Sequence, residues 1–509
     1  MSLPVAGCSR GPWCLGLLLA LTAAACAARH VDLPPAAPQV PAVFRESADW
    51  KPGQPADQSR RGAWWEIFGD PQLNALETPV DVSNDTLRAA QARFLRARAA
   101  IGVARGARYP QITVGPQITR GEQSGNRTKA TEHERVSDFL LPVDVSYEAD
   151  VWGRVRLGID AARATAQASA ADLEAVRLSL HAELALDYFE LRGLDAERVL
   201  LDNSVAAFQR ALDLTQNRFA GGIASQADVA LAETQLEATR AQAVDLGARR
   251  ASLEHAIATL TGKTPAALQV PSSPLASPPP EIPMGLPSDL LERRPDIAAA
   301  ERRIAAAGAA AGIAQAAFFP RLLLTAAAGF ESRSLVRWLS GLSTFWSAGP
   351  AAAATLFDGG RRRAISDQAR ADYDQTVAAY QETILRSLQE VEDGLAALRV
   401  LREEADIQAS AVAAAERSLT LATNRYRGGV TSYLEVITAQ NAALSNQRAA
   451  VSILSRRLQA SVLLIKALGG GWNLASLPTL GNDGRASGLQ PGSYPAVSSA
   501  EGSRSARRQ

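Results

Sequence analysis

The body of the chain lacks cysteine. All three cysteines of the 509-residue sequence lie near its start, at Cys8, Cys14 and Cys26. This excludes a disulfide framework and a thiolate metal site from the body of the chain. Long apolar runs are missing as well: after Cys26, no run reaches the roughly 18 residues that a membrane-spanning helix requires.

An excess of charge of one sign is also missing. The sequence has 53 lysines and arginines against 52 aspartates and glutamates, a formal net charge of +1. Proteins that bind nucleic acids usually carry a broad basic field, so no nucleic-acid partner is expected. Aromatic residues are only 6%, and charged residues are 21%, below the roughly 25% usual in soluble domains. Together with abundant alanine, this composition favours long helices in close contact over a compact aromatic core.

Residues that could carry out catalysis are few and scattered. The histidines show no pairing four positions apart and no acidic companion at ligand spacing, so surface positions are expected for His30, His133, His181 and His255. Gly262-Lys263-Thr264 imitates the end of a phosphate-binding loop, but it ends a helical segment instead of opening one. No nucleophile elbow occurs. The sequence therefore predicts no enzyme, no metal site and no cofactor.

The first 25 residues have the pattern of a bacterial lipoprotein signal. Arg10 precedes the apolar run Trp13 to Ala25, and small residues lead up to Cys26. Residues 1–25 are therefore expected to be removed, which leaves Cys26 as an N-terminus that carries lipid. The alternative is cleavage after Ala25 or nearby by an ordinary signal peptidase, without lipid attachment.

Two halves of the chain repeat each other. Segment 212–225 matches 419–432, and at the same offset Gly262 matches Gly469. An earlier block, 99–110, matches 309–320. An internal two-fold repeat follows. The predicted parts are a first repeat at 85–263, a proline-rich linker at 264–295 that cannot be regular helix, a second repeat at 296–470 and a flexible tail at 471–509.

Each half contains two strands that are apolar on one side only. Apolar and polar residues alternate through Tyr109 to Arg120 and Asp138 to Trp152. The second half has the segment Leu322 to Phe330 and a weaker return strand, Trp346 to Phe357. The four strands are about ten residues long, which is enough to cross a bilayer when tilted. The predicted apolar face includes Ile112, Val114, Ile118, Phe139, Leu141, Val143, Val145, Leu324 and Phe330.

Helical patterns of matched length flank the strands. The two long patterns are Val155 to Asn217 and Arg361 to Asn424. Each is about as long as two short patterns placed end to end: Asp85 to Ala107 with Ser225 to Gly262, and Asp296 to Ala317 with Ser432 to Gly469. At about 1.5 Å per residue, each long helix would span about 90 Å. A coiled-coil seam is predicted at Ile384, Leu388, Val391, Leu395 and Leu398. An ordinary solvated coiled coil is the alternative, which the interposed strands disfavour.

Several motifs follow one another in a fixed order. They are Asn-Arg-[Phe/Tyr]-x-Gly-Gly-[Ile/Val]-x-Ser at 217–225 and 424–432, Leu291-Glu-Arg-Arg-Pro295-Asp296, Leu356-Phe-Asp358-Gly359-Gly360-Arg361 and Lys466-Ala-Leu-Gly-Gly-Gly-Trp472. In this order they resemble the TolC-type outer-membrane efflux family, specifically its lipoprotein branch. The resemblance covers about Trp64 to Trp472.

The resemblance implies an α+β membrane protein that forms a homotrimer. Four strands from each of three chains would build one twelve-stranded β-barrel in the outer membrane, continued by a long α-helical barrel in the periplasm. Residues 26–84 would be an N-terminal periplasmic segment, and the anchor at Cys26 would lie in outer-membrane lipid. Loops 121–137 and 332–344 would face the cell exterior, because the other strand ends lead into periplasmic helices.

The resemblance also implies a function and partners. The chain would be the passive, gated outer-membrane channel of a tripartite efflux pump that exports drugs or other small molecules. Its partners would be a periplasmic adaptor and an inner-membrane pump, commonly of the resistance-nodulation-division class. One alternative is the exit duct of a type I protein-secretion system. Another is a periplasmic coiled-coil adaptor, which should lack the two apolar-faced hairpins.

The turns that follow the long helices are expected to form the periplasmic mouth. The turn residues are Arg218, Gly221, Gly222, Arg425, Gly428 and Gly429. In the family, the constriction combines an aromatic residue at the end of a long helix with acidic residues in the next helix. The matching positions here are Tyr426, Asp228, Leu434 and Glu435, with departures at Thr438, where many relatives have a second aspartate, and at Thr431. A solvated helix face is the alternative.

Overall fold

Six long helices dominate the molecule. The computed structural model describes residues 41, 43–47, 63–122, 135–273, 275, 279–280, 282, 289–477, 479–480 and 486–487. The helices are α1 (Asp85–Gly106), α2 (Arg154–Ala220), α3 (Gln226–Leu260), α4 (Pro295–Ala316), α5 (Arg361–Arg427) and α6 (Tyr433–Ala467). Short helical segments precede α1 and α4, at Trp64–Phe68, Pro71–Glu77, Val80–Ser83 and Leu290–Arg293. None of the helices in the described ranges is both long and apolar enough to cross a membrane.

One antiparallel sheet joins the two halves. Its strands are β1 (Gln111–Val114), β2 (Gln117–Glu122), β3 (Arg135–Glu148), β4 (Arg321–Ser332) and β5 (Thr344–Ala353). A separate small pair consists of β6 (Thr479–Leu480) and β7 (Ala486–Ser487). In the large sheet, β1 and β2 both pair with β3, β3 pairs with β4, and β4 pairs with β5. Within the described residues, both outer edges of this sheet lack a partner strand.

The first predicted strand is interrupted. Val114 lies opposite Val143 and Gln117 opposite Leu140, so β1 and β2 keep one common register against β3. Between them lies Pro116, and the facing stretch of β3 contains Pro142. Proline has no backbone N–H, so the hydrogen-bond ladder breaks there while the strand direction continues. The sheet therefore has four strand lines, as predicted, with one of them divided.

The register gathers the apolar side chains on one face. Across the sheet, Val114 lies opposite Val143, Val143 opposite Ala328, and Ala328 opposite Trp346. The next row contains Ile112, Val145, Ala326 and Ala348. The opposite face has polar rows, such as Thr113, Asp144, Ala327 and Ser347. Because side chains alternate along a strand, the predicted one-sided pattern becomes one continuous apolar surface, and it is exposed in the single chain.

The short helices meet end to end beside the long ones. α2 packs against both α1 and α3, and α5 packs against both α4 and α6. Asn84, which caps the start of α1, donates its side-chain N–H to the carbonyl of Leu260 at the end of α3, at 2.9 Å. Arg294, which precedes α4, donates to the carbonyl of Ala467 at the end of α6, at 3.0 Å. Both junctions confirm the end-to-end arrangement predicted from helix lengths.

The largest core lies at the middle of the long helices. The predicted seam contributes to it, since Ile384, Val391 and Leu395 are almost completely buried. Several bounds differ from prediction. The return strand predicted at Trp346 to Phe357 is observed as Thr344–Ala353. Leu290–Arg293 is helical inside the linker predicted to lack regular helix, because proline is absent from this turn. The predicted flexible tail begins with residues 471–477, of which Trp472 packs against a buried alanine cluster on α2 and α4.

Candidate functional site

Two helical hairpin tips form the candidate site. The first tip joins α2 to α3, and the second joins α5 to α6. Gly222 and Gly429 have φ of +73° and +74°, a left-handed conformation that favours glycine. Gly221 and Gly428 have φ of −79° and −74°, so only the second glycine of each predicted pair needs this freedom.

Arg218 ties the two tips together. Its Nη1 donates to the backbone carbonyls of Tyr426, at 2.8 Å, and of Arg427, at 3.2 Å. Its guanidinium also lies over the ring of Tyr426, 4.6 Å from the ring centre. These carbonyls belong to the last turn of α5, where a cation interacts favourably with the negative end of the helix dipole. Arg218 therefore holds the first hairpin against the second within one chain, a contact that sequence reasoning did not predict.

Tyr426 lies between the hairpins. It is 4% exposed, its ring is 5.3 Å from that of Tyr433, and its hydroxyl is 3.4 Å from Oγ1 of Thr215 on α2. Burial raises the pKa of Tyr433 from 10.0 to about 12, which further disfavours ionisation of this phenol. In the single chain, the side chain of Tyr426 is therefore buried inside the tip, where it packs between α2 and α5.

The two predicted acidic residues have different surroundings. Asp228 forms a capping box at the start of α3: its backbone N–H donates to Oγ of Ser225 at 3.1 Å, and its Oδ2 accepts from the Ser225 N–H at 3.0 Å. Glu435 occupies the matching position of α6, but Ser432 makes no side-chain cap there. Its Oε2 instead lies 3.6 Å from Nη1 of Arg425. Both partners of that pair are about half exposed, so the pair adds little stability.

An exposed helix face begins at Leu434. Leu434 is 57% exposed, and Glu435 and Thr438 are also exposed. Positions four apart share one face of a helix, so Leu434 and Thr438 lie together, with Glu435 beside them. Thr438 donates its hydroxyl to the Leu434 carbonyl at 2.9 Å. The structure thus places the predicted residues Leu434, Glu435 and Thr438 on one accessible surface.

Two predicted features cannot be compared with the structure. Cys26 and loop residues 123–134 lie outside the described residues.

A second polar site is buried where the N-terminal segment meets α2. His181 is 2% exposed, which contradicts its predicted surface position. Its Nδ1 is 2.7 Å from Oε2 of Glu77, its Nε2 is 3.5 Å from Oδ1 of Asp81, and its ring stacks on Trp65 at 4.3 Å. Asp81 also lies 2.9 Å from Nε of Arg177. The prediction failed because Glu77 and His181 are distant in sequence and meet only through folding.

Burial and pairing change the protonation of this site. Burial raises the pKa of Glu77 to about 7, against the opposing effect of His181. Burial alone would lower the pKa of His181, but the hydrogen bonds and charges of Asp81 and Glu77 outweigh it and raise this pKa to about 9. Burial also opposes ionisation of Asp81, yet His181 and Arg177 lower its pKa. His181 is therefore a cation near neutral pH.

A buried ionic network fastens the start of the linker. Asp195 is 1% exposed and lies 2.8 Å from Arg192 and 2.8 Å from Arg250. The two arginines donate to backbone carbonyls of the linker, Arg192 to Pro271 at 2.7 Å and Arg250 to Val270 at 2.6 Å. This network holds the linker against α2 and α3. In the ranges that the structure describes, no group of His, Cys, Asp and Glu side chains is arranged to hold a metal ion.

The architecture defines a class of protein. Long helical hairpins that carry a one-sided apolar sheet at the end opposite their tips are typical of outer-membrane channel subunits. A model of the family described as "Outer membrane efflux protein" matches residues 80–263 and 286–470. The chain belongs to this family.

Named relatives and solved structures agree with this assignment. The chain is 33% identical to outer membrane protein OprJ of Pseudomonas aeruginosa over 460 residues, which cover 90% of this chain and 95% of OprJ. It is 33% identical to the antibiotic efflux pump outer membrane protein ArpC of Pseudomonas putida, with 86% and 91% covered. The solved outer-membrane channel OprN superposes with a TM-score of 0.81 at 31% identity, covering 87% of this chain and 99% of OprN. VceC of Vibrio cholerae superposes with a TM-score of 0.75 at 29% identity, covering 81% and 98%.

Proposed function

We propose that this chain is the outer-membrane channel of a tripartite efflux pump, a passive gated conduit that exports small molecules. One observation carries the proposal: the register of β1 to β5 builds a continuous apolar face, and both outer edges of the described sheet are unpaired. Unpaired backbone groups are too costly in lipid, so such a sheet enters a membrane only when its edges are closed.

Closure by identical copies satisfies both edges. In a homotrimer, β5 of one chain would pair with β1 and β2 of the next, giving a twelve-stranded barrel with its apolar face toward lipid. The helices would continue it as an α-helical barrel in the periplasm, with residues 85–263 and 296–470 as two structural repeats. The equivalent junctions at Asn84 and Arg294 support the repeat. Loops 121–137 and 332–344 would then face the exterior.

The proposed partners follow from the relatives. ArpC is named as the outer membrane protein of an antibiotic efflux pump, and TtgC as that of a toluene efflux pump. By analogy, this chain would act with a periplasmic adaptor and an inner-membrane pump of the resistance-nodulation-division class, which would supply energy and substrate choice. In a type I secretion system, loss of the chain would instead abolish export of a protein. The one-sided sheet disfavours a periplasmic adaptor.

Reconstitution tests the conduit directly. The purified protein in planar bilayers should show stepwise conductance without any energy source, and native mass spectrometry should find three chains per particle. Deletion of the chain should raise the susceptibility of cells to small toxic compounds without loss of a secreted protein. A monomer that does not conduct would contradict the proposal.

The gate is proposed to lie at the hairpin tips. Three copies of the face formed by Leu434, Glu435 and Thr438, with three copies of Asp228, would surround the periplasmic mouth. A ring of carboxylates attracts cations and favours their passage. Tyr426 would support this ring from inside each tip, because it packs against Arg218 and Tyr433.

Removing the charge of the ring should weaken cation selectivity. We expect Glu435→Gln combined with Asp228→Asn to shift the reversal potential of single channels toward the nonselective value in a salt gradient. Asparagine keeps an acceptor for the Ser225 N–H, whereas Asp228→Ala would also remove the side-chain half of the capping box at the start of α3. The change therefore tests charge and not folding.

An exposed glutamate away from the tips provides the control. Glu403 lies on α5, away from the tips, and is exposed, so Glu403→Gln removes one carboxylate charge per chain without changing the tip face. Its selectivity should stay close to that of the unchanged protein. Equal selectivity in the double variant and the unchanged protein, both as trimers, would show that the tip face is only a solvated surface.

Lipid attachment is proposed at Cys26. The signal pattern before it predicts that this cysteine becomes the mature N-terminus and carries lipid. Cells grown with radiolabelled palmitate should yield labelled protein, and Cys26→Ala should yield none. Persistent label in that variant would contradict the assignment, and mature protein without label would favour cleavage by an ordinary signal peptidase.

A further inference from the structure

The connection between β4 and β5 is unusually apolar for a surface loop. We call residues 333–343 the β4–β5 loop; two 3-10 turns shape it, at Leu335–Arg337 and Gly341–Ser343. Four aliphatic side chains in it are at least 61% exposed, with Val336 at 95% and Leu342 at 101%; the others are Leu335 and Leu339. Clustered exposed apolar side chains of this kind mark a surface that another apolar phase covers.

Trp338 fixes the loop to one face of the sheet. Its ring packs against Phe139, 5.8 Å between ring centres, and its Nε1 donates to the carbonyl of Phe330 at 3.4 Å. Phe139 lies opposite Ile118 on β2, and Phe330 opposite Leu141 on β3, so all four belong to the apolar face. The loop is therefore attached to the side of the sheet that the proposed channel turns toward lipid.

The loop satisfies its own polar groups. Ser343 donates to the Arg337 carbonyl at 2.7 Å, and Thr344 donates to the Gly341 carbonyl at 2.8 Å. Ser332 donates to the Ser334 carbonyl at 3.0 Å, and the hydroxyls of Ser340 and Ser343 are 3.2 Å apart. Internal pairing lowers the cost of moving backbone and hydroxyl groups out of water. The loop can therefore leave water at a lower cost than a loop with unpaired hydroxyls.

We propose that the β4–β5 loop inserts its aliphatic side chains into the outer leaflet of the lipid around the channel and sets the depth of the barrel there. The inference rests on the proposed function, because it requires the apolar face of the sheet to lie in a membrane. Trp338 then lies at the level where indole rings concentrate in membrane proteins. The exposed Arg337 reaches the phosphate groups of the lipid headgroups, as basic side chains at membrane boundaries do.

Site-specific fluorescence tests the insertion. All native cysteines lie at or before position 26, so Leu342→Cys in a Cys26→Ala chain provides one labelling site in the body of the protein. The full trimer carries an environment-sensitive dye and is reconstituted in bilayers with or without brominated acyl chains. We expect blue-shifted emission, strong quenching by the brominated lipid and weak quenching by aqueous iodide. The Cys26→Ala chain without an added cysteine measures background labelling.

Two further positions separate the possible outcomes. Ile118 is 63% exposed on the apolar face, and Leu421 is 64% exposed on α5. Ile118→Cys should report lipid and Leu421→Cys should report water. If Ile118→Cys reports lipid but Leu342→Cys is quenched by iodide, or by neither quencher, the insertion is overturned while the proposed channel stands. A lack of lipid quenching at Ile118→Cys as well would overturn the proposed function.

Discussion

Replacing Val114 with arginine should prevent most of the chain from assembling as a stable channel. Val114 lies in β1 opposite Val143 and is 60% exposed on the apolar face. An arginine on the lipid side near the middle of a bilayer costs about 2–4 kcal/mol. A trimer would contain three such side chains, so the effect on assembly is large. The measurement is the yield of trimer extracted from outer membranes, relative to total expressed chain.

The neighbouring residue provides a matched control. Thr113 precedes Val114, and its side chain lies on the opposite, polar face, across from Asp144. Thr113→Arg adds the same charge in the same strand, next to a carboxylate and away from lipid. Its trimer yield should stay near that of the unchanged protein. If both variants assembled equally well, the apolar face would not be the lipid-facing surface.

Replacing Glu77 with alanine should loosen the N-terminal segment from α2. Glu77 is fully buried and pairs with the buried His181. Removing one partner of a buried ion pair typically costs about 3–5 kcal/mol when the other charge is left without compensation. Asp81, 3.5 Å from Nε2 of His181, still compensates part of that charge, so the expected loss is smaller than this range. The loss should be local, since Pro71–Glu77 contacts the long helices through α2. Hydrogen exchange of residues 64–83 should accelerate, while exchange at the distant tips stays unchanged.

A double variant tests whether the loss comes from leaving one partner of the pair without the other. Glu77→Met combined with His181→Leu replaces both charged partners with apolar side chains, an exchange that is often neutral in buried pairs. Protection of residues 64–83 should recover most of what Glu77→Ala loses. If the double variant remained as loose as Glu77→Ala, loss of the Glu77–His181 contact itself, and not the charge left unpaired on His181, would account for the loss.

The same pair makes the attachment sensitive to pH. The pKa of His181 is raised from 6.5 to about 9, so its contribution is complete below pH 6.5 and is lost as the pH rises through about 9. The pKa of Glu77 is raised from 4.5 to about 7, so the folded chain also retains a proton there that the unfolded chain has released. Both effects weaken the contact as pH increases. Hydrogen exchange of residues 64–83, corrected for the intrinsic effect of pH on exchange rates, should therefore become faster between about pH 5 and pH 9. Glu77→Gln should remove the part of this increase that occurs at the lower pH values, where Glu77 loses its proton.

Much of the fold could be predicted because its signals are local. The alternation that ends at Val145 and Tyr147 predicts a one-sided strand without reference to any partner. The register in the structure then aligns these residues with Ala326 and Leu324. The alternation did not predict the interruption at Pro116, because proline counts as one more apolar residue on the face. Its missing N–H becomes visible only in the hydrogen-bond ladder.

The tips show where local reasoning ends. The left-handed turns at Gly222 and Gly429 follow from their place between two helices. The different surroundings of Asp228 and Glu435 do not, although the two positions match in the sequence repeat. Asp228 bonds to Ser225, whereas Ser432 forms no side-chain cap and Glu435 lies near Arg425. The folded structure of each tip shows which acidic side chain takes part in a cap and which lies near an arginine.

By itself, the sequence determined the periodicities of this protein: the long helices, the one-sided strands, the turns between them and the motifs that identify its family. These features depend on residues only a few positions apart, which lie on the same stretch of helix, strand or turn. Only the tertiary structure decided the contacts between distant segments, such as Arg218 on the last turn of α5, His181 against Glu77, and Trp338 on the apolar face. The physical reason is that helix packing and strand register bring these remote side chains within a few ångströms of each other. A local sequence pattern encodes neither the packing of the helices nor the register of the strands.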